Sequence, residues 1–106
     1  MPRIADDIRL VTAGVDTHAE VHVAAVADQV GRVLGTESFP ATGAGYRAVL
    51  AWMRSFGELV KVGVEGTGSY GCGLARYLAG QGVEVAEVER WLAPNLSYEP
   101  ASQPGS

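Results

Sequence analysis

The chain has 106 residues, 47% of them apolar and 19% charged, a composition that suits one globular domain and leaves no room for a second. Eight Lys and Arg against twelve Asp and Glu give a formal charge of −4, which excludes a module that grips nucleic-acid phosphates unaided. A single cysteine, Cys72, excludes an internal disulfide, and no run approaches the roughly 18 apolar residues of a membrane span.

Residues 1–9 read as a flexible lead-in, with Asp6 and Asp7 where a signal peptide would be apolar, so the cytoplasm is the expected compartment. Residues 10–15 are mostly apolar and β-forming, which predicts a buried strand that stops at Asp16. Val21-His22-Val23-Ala24-Ala25-Val26 predicts a second strand. Asp28-Gln29-Val30-Gly31 predicts a turn into a third strand over residues 32–39. Pro40, Thr42 and Gly43 then break the pattern. Tyr46, Val49, Leu50 and Met53 recur at i, i+3, i+4, i+7, the stripe of a helix that Gly57 can end.

Val60, Val62 and Val64 alternate in a fourth strand that closes on Glu65. Leu74, Tyr77 and Leu78 mark a short second helix, closed by Gly80-Gln81-Gly82, and residues 83–88 supply a fifth strand. Residues 91–106 hold three of the five prolines and show no period, which reads as a disordered tail after a domain at residues 10–90. The order is βββαβαβ.

Hairpins pair strand one with two and two with three, and right-handed crossovers through the helices place strands four and five parallel to strand one. The expected fold is therefore α/β, a mixed five-stranded sheet in the order 3-2-1-4-5 with helices after strands 3 and 4. Ligand crevices in such sheets lie beyond the carboxyl ends of neighbouring strands whose connections diverge. Asp16 and Glu65 end strands one and four, about 4.8 Å apart across the sheet, near enough to share a cation. Two carboxylates with open positions suit Mg²⁺ or Mn²⁺, the ions of phosphodiester chemistry, although two acids are too few to hold a pair of metals. From pattern alone, a turn-capping Asp16 and a solvated Glu65 account for the same letters equally well.

Gly14-Val15-Asp16-Thr17-His18, the following strand at residues 21–26, and Val62-Gly63-Val64-Glu65-Gly66-Thr67-Gly68-Ser69-Tyr70-Gly71 together resemble the N-terminal domain of the insertion sequence 110 family of bacterial transposases. The resemblance covers residues 10–90. It implies a RuvC-like, ribonuclease-H-like fold in which four acids, in the order Asp, Glu, Asp, Asp, bind divalent metal for DNA cleavage and transfer in DNA transposition. Asp16 and Glu65 correspond to the first two and would be catalytic metal ligands. Thr67, Ser69 and the nearby glycines would shape the site without carrying chemistry. The later pair of acids and the C-terminal serine domain have no counterpart here, so the chain is expected to be a truncated, inactive portion of such an enzyme. Relatives act with DNA and a structured guide RNA. Ala19 stands where they often carry lysine, which would weaken a phosphate contact.

Gly66-Thr67-Gly68-Ser69-Tyr70-Gly71 also satisfies G-x-G-x-x-G, with Glu87 or Glu89 roughly where a ribose-binding acid falls, but Glu65 just before it would repel a pyrophosphate. The hairpin after Asp16 fits actin-like nucleotide-phosphate binding, yet lacks the glycine such loops need. A third reading is a non-catalytic interaction fragment that self-associates or pairs with full-length transposase through uncovered apolar surface. Extended backbone between His18 and His22 would hold them about 13 Å apart, too far for one zinc, and leaves His18 either lining the rim of the site or as an ordinary surface histidine, the latter reading at least as well supported. Cys72 reads as a small buried packing residue.

Overall fold

The structure, a computed structural model, describes residues 9–66 and 70–89. The expected lead-in, apart from Arg9, and the expected tail lie outside those residues, as do Thr67 and Ser69. Strands β1 (Leu10–Thr17), β2 (Val21–Ala27) and β3 (Val33–Pro40) come first. Helix α1 (Gly43–Arg54), strand β4 (Glu58–Gly66), helix α2 (Cys72–Gly80) and strand β5 (Glu84–Glu89) follow. The sheet order is β3-β2-β1-β4-β5, as the hairpin and crossover rules require. The β1–β2 and β2–β3 pairs are antiparallel; β1–β4 and β4–β5 are parallel.

The β2–β3 turn is built by Asp28. Its Oδ1 accepts from the Val30 N–H at 3.1 Å and the Arg32 N–H at 2.9 Å, while Gly31 takes φ +89°, which a side chain would resist. The Arg32 N–H, with smaller help from the Val30 N–H and the Arg32 and Arg9 charges, holds the Asp28 carboxyl below its usual range.

Helix α1 is capped by Thr42, whose Oγ1 accepts from the Gly45 N–H at 3.1 Å. It buries Gly45, Val49, Leu50 and Met53, close to the expected stripe, and stops at Ser55, before Gly57. There the Ser55 N–H still reaches the Ala51 carbonyl at 3.1 Å and the Ser55 hydroxyl donates to the Trp52 carbonyl at 2.6 Å. Gly57 instead lets the chain pass the Arg9 carbonyl, against which a Cβ would collide. Helix α2 buries Leu74, Ala75 and Leu78. Cys72, expected inside, is exposed: it opens α2 away from that buried face, and Arg76 Nη2 lies 2.8 Å from its Sγ.

The core lies between the helices and one face of the sheet. Val11, Val15 and Thr17 of β1, His22, Ala24 and Val26 of β2, and Val62 and Val64 of β4 are all buried at alternate positions. One irregularity corrects the expected alternation of strand four. Val11 pairs with Leu59 but Thr12 pairs with Lys61, so Val60 is an extra residue in β4 and is 45% exposed. Leu59 packs against the core in its place. Among the described residues no helix is long and apolar enough to cross a membrane.

His22 is the one imidazole in this core. It is 1% exposed, stacks on Tyr46 at a centroid distance of 6.0 Å with planes 4° apart, and neither ring nitrogen has a hydrogen-bond partner. Burial, with a smaller contribution from the nearby His18 charge, lowers its pKa from the usual 6.5, against a weaker opposing effect of the Val21 backbone.

Two predictions follow from this packing. A Cβ at Gly45 would overlap the Pro40 carbonyl, so Gly45→Ala is expected to push α1 off the end of β3. The cost, about 1 to 3 kcal/mol, should outweigh the roughly 1 kcal/mol gain in helix propensity and appear as a lower urea midpoint. Gly43→Ala, with only Arg47 Nη1 nearby at 3.7 Å, should lower it little or not at all. Because the unfolded His22 binds a proton below pH 6.5 while the folded one resists it, stability contributed by neutral His22 falls as pH drops through 6.5 toward the lower folded value. The slope cannot exceed about 1.4 kcal/mol per pH unit, and urea melts of His22→Phe should lack that component.

Candidate functional site

The site is set by the end of the β1–β4 ladder. Val15 pairs with Val64 and Asp16 with Glu65 in register, so both carboxylates leave the same face of neighbouring parallel strands. Val15 and Thr17 on either side of Asp16 are buried under the helices, which sends Asp16 to the opposite face. The structure brings the two sequence-predicted acids together, from segments 49 positions apart.

A seam on the core side holds this end of the ladder closed. Thr17 Oγ1 donates to the Glu65 carbonyl at 3.1 Å. Thr17 is 1% exposed and lies so close to Gly66 that a Cβ there would overlap its hydroxyl. Gly71, at the N-cap of α2, is equally constrained, since a Cβ would stand 2.9 Å from Val64 Cγ1 and 3.3 Å from Thr17 Oγ1. The glycines flanking the loop are thus spent on close packing of α2 against the strand ends. Thr17 was not singled out by the sequence reading, although it continues the inward parity of Val11 and Val15.

His18 lies on the outer side. Its Nε2 is 3.1 Å from Asp16 Oδ2, with the two side chains 49% and 41% exposed. His18 is thus a half-exposed surface residue beside Asp16. The extended geometry assumed between His18 and His22 is corrected: the His18 N–H donates to the Val21 carbonyl at 3.1 Å, closing a tight turn, and Thr17 pairs with His22. His22 faces the core and His18 faces solvent, so the two imidazoles serve different surroundings.

The donors presented together are carboxylate oxygens, with one imidazole on the outer oxygen of Asp16. Hard oxygen ligands of this kind fit Mg²⁺ or Mn²⁺ better than softer metals. Among the described residues no group of three or more His, Cys, Asp and Glu is close enough to form a fuller ligand set. The pair is therefore compatible with a divalent ion but supplies only part of a coordination sphere. Lys61, four residues before Glu65 on the same strand, is turned toward Glu84 at 3.9 Å, away from the acids.

Solved structures share this fold at low sequence identity. The Pelota protein of Thermoplasma acidophilum superposes with a TM-score of 0.51 at 15% identity, over 82% of this chain and 30% of its own length. That of Archaeoglobus fulgidus gives 0.51 at 18% identity, over 83% of this chain and 30% of its own. The chain spans less than a third of either protein, and the likeness is one of fold. No curated protein matches the sequence. Residues 13–99 match the family of DEDD transposases of insertion sequence 110, described as Transposase, over a span that includes both acids and the whole sheet from Ala13 onward. The chain belongs to that transposase family.

Proposed function

We propose that this chain forms part of the DNA-cleaving, RuvC-like domain of an insertion-sequence transposase, with Asp16 and Glu65 as ligands for Mg²⁺ or Mn²⁺. The observation that carries the reading is the in-register pairing of the two acids at the end of the β1–β4 ladder. Family membership supports DNA as the substrate and transposition as the process. When bound, a divalent ion would polarise a phosphodiester oxygen and lower the pKa of a bound water. Asp16 and Glu65 would fix its position, and their charge would offset its own. His18 would orient the outer Asp16 oxygen or exchange a proton at the rim.

The same reading explains the acidic balance. A formal charge of −4 disfavours DNA until metal and basic partners offset it. Further protein rich in Lys and Arg would do so and would also carry the guide RNA, and the compartment would be the bacterial cytoplasm, where the DNA is. Two carboxylates without further ligands hold a divalent ion weakly, so this chain alone is expected to bind metal without turning over DNA.

Titration with Mn²⁺, followed by paramagnetic broadening of backbone amide signals, should broaden residues around Asp16 and Glu65 first. Asp16→Ala and Glu65→Gln should each weaken that binding by about tenfold or more. Broadening that starts elsewhere, or that ignores both substitutions, would remove the metal assignment. A nuclease and strand-transfer assay with Mg²⁺ and Mn²⁺ should give no product from this chain; turnover abolished by Asp16→Ala would overturn its inactivity and strengthen the site.

A further inference from the structure

The β1–β4 register runs from Leu10 with Glu58 to Asp16 with Glu65 and stops there, although both strands continue for one more residue, to Thr17 and Gly66. Each strand is held on its outer side at this point. Thr17 pairs with His22 of β2, and Gly66 pairs with Glu89 of β5. Between β1 and β4, beyond the last register pair, the connection is made by a side chain: Thr17 Oγ1 donates to the Glu65 carbonyl at 3.1 Å. Ladder ends are where sheets open first, and here the end coincides with the acid pair.

The residue type at position 17 is informative. Val11 and Val15 fill buried inward positions on the same strand, and a third valine would extend that apolar row. Threonine has the outline of valine with one methyl replaced by a hydroxyl, and burying a hydroxyl costs free energy unless it is bonded. The fold makes room for it at two glycines, since a Cβ on Gly66 would overlap the hydroxyl and one on Gly71 would stand 3.3 Å from it. The bond falls on the carbonyl of Glu65 itself. Because the peptide unit is planar, fixing that carbonyl fixes the plane joining Glu65 to Gly66, and with it the direction in which the Glu65 side chain leaves the opposite face.

We propose that Thr17 is a positioning residue for the acid pair: its hydroxyl closes the end of the ladder from the core side and holds Glu65 at the spacing from Asp16 that a shared divalent ion requires. Its use for metal rests on the reading of Asp16 and Glu65 as ligands; the closure of the strand end does not. Thr17 touches neither ion nor substrate and acts through the backbone of Glu65. Its two branches therefore serve different ends, the hydroxyl the site and the methyl the core.

Substitutions in the whole chain separate the two. Thr17→Val keeps the packing and removes the bond, so Mn²⁺ affinity, read by paramagnetic broadening around Asp16 and Glu65, should fall about fivefold, the contribution of one ordinary hydrogen bond. Thr17→Ser keeps the bond and removes the methyl, so the melting temperature should fall while the affinity stays near that of the unaltered chain. Stability should thus rank valine above serine and affinity serine above valine, an inversion that a purely structural role does not give. If Thr17→Val does not fold, Thr17→Ser against Thr17→Ala, which differ by the hydroxyl alone, carries the same comparison. Hydrogen exchange of backbone amides 64–66 in chelator-containing buffer reads the closure without metal. It should quicken about fivefold with valine or alanine but not with serine, while residues 61–63 stay unchanged. That pattern, in a chain whose acids take up no Mn²⁺, would uphold the closure and remove the metal reading alone. Exchange in which serine is no better than valine and alanine would overturn the proposal whatever the metal does, and so would Mn²⁺ affinities that follow the order of the melting temperatures.

Discussion

Between β1 and β4 the chain runs through two hairpins and a helical crossover, so the meeting of Asp16 with Glu65 is a property of the whole fold. Thr17 and the Glu65 carbonyl, joined by a hydrogen bond, are 48 residues apart. Ordering that length of chain carries a closure cost that only the burial of Val11, Val15, Val62 and Val64 beneath two helices can offset. Each acid is thus placed by the inward-facing residues on either side of it, Val15 and Thr17 around Asp16 and Val64 and Gly66 around Glu65. The polar end of the ladder inherits its precision from the core.

Much of this was readable from letters because the relevant signals are local. Alternation in β2, the Asp28 turn, the stripe from Tyr46 to Met53 and the paired glycines around α2 each fit within a dozen residues, and chain-handedness rules then order the strands. What escaped depended on partners from elsewhere. Cys72 looked like a core residue because it is small and apolar, but the helix phase is decided by Leu74, Ala75 and Leu78, and that phase turns it outward. His18 and His22 looked like points on one extended segment, whereas a turn closed by the His18 N–H separates them. His22 shares inward parity with Ala24 and Val26, so its burial was in the pattern, yet a polar ring among alanine and valine gives no sequence cue that it will rest unpaired against Tyr46.

The fold and the family make different kinds of claim. Pelota proteins share the arrangement of strands and helices at 15% and 18% identity, which is what one architecture serving several tasks looks like. Membership of the transposase family adds a match along the chain, over residues 13–99, a span that includes Asp16 and Glu65 at the sheet end where the connections of β1 and β4 diverge. The seam of Thr17, Gly66 and Gly71 links the two levels. It leaves no space for larger side chains just behind the acids, so the strand ends are braced on the core side.

Val60 carries a consequence for how the strand can serve both sides at once. Leu59 and Glu65 are six residues apart, an even number, and in an uninterrupted strand they would point the same way. Either the leucine would be driven into water or the glutamate into the hydrocarbon interior. The single additional residue works as a phase inserter: it resets odd to even, so an oily anchor at the start of β4 and an acid at its end can occupy opposite surfaces. A sequence change that shortened β4 by one residue there would exchange inside and outside for everything on one side of the deletion.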